Sequence, residues 1–151
     1  MTEGAQPRSY RSQIIIRFAD CDPAQMVFYP RYLTMFNDLV EDWFRDELKL
    51  PFSYYHLEQQ HGLPTVHLEV DFLAPSRLGE VLTATLTVKR VGTSSITVNI
   101  LFRGPDGRDR VRGTVVLVVT DLRSNRAIPI SGDLRSKILQ FCDTASAKVT
   151  P

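Results

Sequence analysis

The chain has 151 residues, 43% apolar and 23% charged, which fits one globular domain able to bury about two-thirds of its unfolded surface. Lysine and arginine number 18 against 17 aspartate and glutamate, with no basic block, so a nucleic-acid partner gains no support. Cys21 and Cys142 are too few for a disulfide framework and fit no metal-ligand spacing, so no metal or cofactor is expected and a reducing compartment is the default.

Residues 1–10 are polar, are expected to be loosely held and lack the apolar core of a signal peptide. No apolar run reaches membrane-spanning length, which points to a cytoplasmic protein with no membrane partner. From Ser12 to Phe18 the β-branched run Ile14, Ile15 and Ile16 predicts a buried strand. A loop follows from Asp20 to Tyr29, and Pro30 suits the first turn of a helix, where its missing N–H costs nothing. Tyr32, Met35, Phe36, Leu39, Val40, Trp43 and Phe44 then recur at three- and four-residue spacing. They predict one helix of about 18 residues, near 27 Å long, ended by Pro51.

Residues 52–62 suit at most a short helical turn. Beyond Pro64 the period changes to two. Val66, Leu68, Val70 and Phe72 alternate with polar residues, then Leu82 to Val88, Ile96 to Phe102 and Val111 to Val119 do the same, with turn signals at Gly92-Thr93-Ser94 and Pro105-Asp106-Gly107. Residues 132–143 suit a short final helix, and 144–151 a frayed tail. Strands joined by hairpin-like turns need a covering layer, and the helix at 30–48 is the only long apolar one. The expectation is a single α+β domain of hotdog architecture, a curved antiparallel sheet of about five strands around one central helix. Its open edges and outer face call for a dimer or tetramer.

On that frame, Phe18, Asp20-Cys21-Asp22-Pro23-Ala24 and Tyr29-Pro30 followed by Tyr32 resemble the 4-hydroxybenzoyl-CoA thioesterase family of hotdog proteins. Gly62, Pro64, Phe72 and Val81-Leu82-Thr83 fall at compatible spacing. The resemblance implies hydrolysis of an acyl thioester of coenzyme A at a site shared between subunits. It implies Asp22 as the catalytic carboxylate and the backbone N–H of Tyr29 as the group that polarises the carbonyl. Two departures stand out. Gly92, Thr93 and Ser94 are neutral where a basic cluster meets nucleotide phosphates in the matching branch, leaving Lys89 and Arg90 as candidates. Gln25 stands where glycine is common, so the loop is expected to follow a different path.

The residues themselves agree in part. Thioester hydrolysis needs an electrophilic donor, which a helix N-terminus supplies, and a carboxylate that attacks the carbonyl or activates water. Asp22 has a plainer reading as a cap for local N–H groups. Asp20 points the other way along an extended segment and reads as structural. Cys21 has no paired histidine, and the resemblance to hotdog thioesterases, some of which use a helix acid as base, makes Glu41 a weaker rival to Asp22. His56, His61 and His67 lack ligand spacing, although His67 suits a pocket wall as well as it suits solvent. Met26, Val27, Phe28 and Tyr32 are candidates to line the acyl pocket, and Tyr29-Pro30, which resembles the family's aromatic-acyl branch more than the aliphatic one, implies a slight preference for an aromatic acyl group. A carrier-protein thioester is a close variant. The alternatives are a non-catalytic hotdog module that binds acyl-CoA or acyl carrier thioesters, and a dehydratase, which would want an Asp–His pair near position 22.

Overall fold

A computed structural model describes residues 8–142. Eleven of its segments carry the fold: β1 (Tyr10–Ile15), α1 (Tyr29–Asp46), α2 (Phe52–Leu57), β2 (His61–Gly62), β3 (Thr65–Phe72), β4 (Val81–Val91), β5 (Ser95–Arg103), β6 (Asp109–Val118), β7 (Thr120–Asp121), β8 (Arg126–Ala127) and α3 (Gly132–Leu139). Tyr10, expected at the end of a loosely held segment, is instead buried: it opens β1 opposite Leu86 and donates its hydroxyl to Asp46 at 2.6 Å, while residues 1–7 lie outside the described residues. The tail at 144–151 lies outside the described residues.

The main sheet is antiparallel with order β1-β4-β5-β6-β3. β4, β5 and β6 are hairpin neighbours as their turn signals predict, but β3 is not paired with the strand that follows it. It lies on the far edge against β6, and residues 73–80 must cross the end of the sheet to reach β4. Alternation tells which face of a strand is apolar, not which neighbour it takes. β2, β7 and β8 make a second, small sheet that two-residue strands could not announce.

α1 lays its buried stripe, Tyr32, Met35, Phe36, Leu39, Val40, Trp43 and Phe44, on the sheet, the hotdog arrangement of helix and strands. Helix and sheet approach closely at Gly113 on β6, where any β-carbon would collide with the Phe36 ring. Trp43 is fully buried and meets Phe44 and Phe141 edge-on at ring separations of 5.5 and 5.6 Å. Trp43→Ala should therefore cost about 3–5 kcal/mol of folding free energy, read as a shift of the urea midpoint without change of slope.

One charged residue breaks the apolar pattern. Arg110 is only 3% exposed and forms ion pairs with Glu80 at 2.8 Å and Asp106 at 2.9 Å. Its guanidinium holds the Glu80 carboxyl below the usual carboxylate range. A depressed folded-state value means stability present above the unfolded-state pKa and lost as pH falls through the folded-state one. Urea unfolding should lose stability below about pH 4, and Glu80→Gln should flatten that dependence.

Candidate active site

The stretch from Asp20 to Phe28 folds back on itself. The Asp22 N–H donates to Met26 O at 2.9 Å, the Phe28 N–H to Asp20 O at 2.9 Å, and Cys21 and Val27 form an antiparallel bridge. The turn closes through the Gln25 N–H to Asp22 O at 2.8 Å, with Gln25 at φ 65°. That is the left-handed region glycine favours, so a glutamine here holds a backbone angle that a glycine would adopt without strain. Asp22 is thereby held opposite Met26, a few residues before α1.

At the helix start, Phe28 is extended at φ −72°, ψ 124° and gives no side-chain cap. Pro30 has no N–H, and the Arg31 N–H donates to Phe28 O at 2.8 Å. The Tyr29 N–H is left unpaired among the described residues, at the positive end of the α1 dipole. The two aspartates differ in use. Asp20 Oδ2 accepts the Arg17 N–H at 2.9 Å and fastens the short turn at Phe18–Asp20. Asp22 Oδ1 accepts the Ala24 N–H at 2.9 Å, and no hydrogen bond reaches Oδ2 from the described residues. One oxygen fixes the carboxylate while the other stays available.

Met26 and Val27 are half-buried beside this hairpin, while Phe28 and Tyr29 are exposed. Tyr32 is buried beneath them. The rings of Phe28, Tyr29, Phe72 and Tyr32 follow one another at 5.5, 5.9 and 5.9 Å. Lys89 and Arg90 are not brought to the hairpin of the same chain. β4 begins at Val81, opposite Ile15, and runs away for about 30 Å before reaching them. Glu41 sits on the exposed side of α1, about 18 Å along the helix from Tyr29. His67 faces outward with Nε2 3.2 Å from Glu69 Oε2. The Cys21 thiol bonds Arg17 O at 3.4 Å, and partial burial, with Asp20 and Asp22 beside it, pushes its pKa up, away from a nucleophilic thiolate.

Sequence reading passed over the crossing segment 73–80. Ser76 O accepts the Val27 N–H at 2.9 Å, the Leu78 N–H donates to Gln25 O at 3.3 Å, and Met26 bridges Arg77. This segment props the hairpin from behind. Its contribution is made by backbone groups, which leave no side-chain signature to read.

The hairpin thus places Asp22 a few residues before a helix whose first N–H is open, within a hotdog fold. The family model for the thioesterase-like superfamily matches residues 16–138, and the chain belongs to that superfamily. It is 26% identical over 127 residues to a 1,4-dihydroxy-2-naphthoyl-CoA hydrolase of Prochlorococcus marinus, covering 79% of this chain and 81% of that one. It is 25% identical over 133 residues to the long-chain acyl-CoA thioesterase FadM of Escherichia coli, covering 87% and 98%. Among solved structures, an aspartate-to-asparagine mutant of 4-hydroxybenzoyl CoA thioesterase complexed with 4-hydroxybenzoyl CoA superposes with a TM-score of 0.79 at 24% identity, over 87% of this chain and 99% of that one. That last likeness shows the fold. The chain is a thioester hydrolase by class. No helix among the described residues is long and apolar enough to cross a membrane.

Proposed function

We propose that the protein hydrolyses an acyl-CoA thioester, with Asp22 as nucleophile or general base and the Tyr29 N–H as the donor to the carbonyl oxygen. One observation carries the reading: the 20–28 hairpin delivers a carboxylate with an unspent oxygen to the approach of a helix whose first N–H is open. Charge gathering on the thioester oxygen is stabilised by that N–H, a contribution of about 3 kcal/mol for a well-placed donor. Water adds to the acyl carbon, directly with Asp22 taking its proton or through a mixed anhydride on Asp22, and the C–S bond breaks to give coenzyme A thiol and a free acid.

An aromatic acyl group is favoured by the exposed Phe28, Tyr29 and Phe72 rings at the helix start, which offer edges and faces to a planar guest. A long aliphatic acyl group has its own support, a groove of about 200 Å³ between α1 and β3 lined by Leu33, Phe36, Val40, Leu68 and Leu117. The working unit in this reading is a homodimer or a larger homo-oligomer, in which Lys89 and Arg90 of a neighbouring copy remain available for the nucleotide end. A panel of aromatic and long-chain acyl-CoA thioesters, read by free-thiol release, tests the proposal. Turnover of the aromatic members supports it in full, and turnover confined to long chains moves the acyl group into the groove. No turnover with any member overturns it in favour of a binding module.

A further inference from the structure

We propose that Arg110 is a positioning residue for this reaction, setting the hairpin of Asp22 through the 73–80 crossing segment. The inference rests on the reading that Asp22 and the Tyr29 N–H carry the chemistry.

Arg110 occupies an irregular place in β6. Phe102 pairs with Val111 and Arg103 with Asp109, so residue 110 is the extra residue of a β-bulge. A bulge re-aims a side chain. Val111, Gly113 and Val115 face the core, so strict alternation would turn residue 110 outward, yet Arg110 is buried. Its guanidinium reaches the crossing segment at several points: Nη1 donates to Pro75 O at 2.9 Å, to Glu80 Oε1 at 2.8 Å and to the buried Ser76 Oγ at 3.4 Å. Nη2 donates to Glu80 Oε2 at 3.3 Å and to Asp106 Oδ1 at 2.9 Å. The Arg110 carbonyl also accepts the Leu73 N–H at 2.8 Å, so the same residue holds both ends of the segment.

The same segment holds the hairpin. Ser76 O takes the Val27 N–H, Leu78 N–H reaches Gln25 O, and on the far side Glu80 O takes the Ile16 N–H at 2.9 Å. Every link from the guanidinium to the backbone around Asp22 is thus a hydrogen bond or the peptide chain. A forked, planar cation is needed to make the contacts at once; an ammonium offers one point. Gly104 is part of the device, because a β-carbon there would collide with the guanidinium, which its bonds prevent from moving aside. A buried ion pair is weak evidence for a stability role by itself. Geometry across the site is the better account of this one.

Arg110→Lys keeps the charge and loses the fork, and Gly104→Ala keeps the arginine and displaces it. Each is expected to lower kcat about ten- to hundredfold with KM changed less than about threefold, the scale of a misplaced catalytic group. Amide hydrogen exchange should quicken at Val27 and Leu78 while β5 amides keep their protection. If kcat stays within about twofold in both folded variants, or exchange quickens uniformly, the inference falls. Where Arg110→Lys does not fold, Glu80→Gln stands in for it, and failure of all three to fold overturns the inference as well, the network then serving stability alone. The underlying reading fails separately, by Asp22→Asn retaining full turnover with Arg110 untouched.

Discussion

Asp22→Asn is expected to lower kcat for acyl-CoA hydrolysis at least about a hundredfold, some 2.7 kcal/mol of transition-state stabilisation, with little change in KM. The substitution is nearly isosteric, and the new amide oxygen can still accept the Ala24 N–H that Asp22 Oδ1 accepts at 2.9 Å. The hairpin should therefore keep its shape. What disappears is the negative oxygen that, in the proposed reaction, attacks the acyl carbon or takes the proton of water, and an amide does neither at neutral pH. Asp20→Asn should do much less to kcat, since its carboxylate serves the turn below the hairpin through the Arg17 N–H. Glu41→Gln, distant along α1, should leave turnover unchanged. Steady-state rates with the best thioester of the panel decide the matter. Loss of activity on changing Asp20 or Glu41, with Asp22→Asn unaffected, would assign the chemistry elsewhere.

The second large effect concerns assembly. If the working unit is the proposed homo-oligomer, Val66→Lys combined with Leu68→Lys should turn it into a monomer and remove most thioesterase activity. β3 is an edge strand of eight residues, bonded to β6 on one side only, and Val66 and Phe72 are 59% and 51% exposed in the single chain. A long strand with open backbone groups and apolar side chains is a template for pairing. A two-fold copy covering it would bury both lysines twice over, at about 2 kcal/mol or more for each unpaired polar group. That sums to about 8 kcal/mol against association, a rise in dimer Kd of more than ten-thousandfold. Sedimentation at micromolar concentration reads the mass directly. A variant that still sediments as the parent oligomer would place the interface on another surface.

How far the sequence reaches can be argued from particular elements. α1 was legible nearly to the residue, because a seven-member stripe at helical spacing and a proline in the first turn leave one solution. β4, β5 and β6 were legible for the matching reason, strict alternation broken by turn residues. The partner of β3 was not, since an apolar edge strand and an apolar inner strand carry the same pattern. Around the candidate site, the Asp22 motif and the start of α1 are legible because they are contiguous, while the positive φ of Gln25 is not written in its side chain and is seen only in the closed turn.

By itself, then, the sequence determined the local structure and the residue types at the helix start, since both follow from neighbours a few positions apart. Tertiary structure alone decided that 73–80 crosses the sheet end, that a bulge buries Arg110, and that this cation is tied through the crossing segment to the hairpin of Asp22. The physical reason is reach: partners thirty or more positions apart, such as Arg110 and Glu80, meet through register and chain path, and neither is written in periodicity.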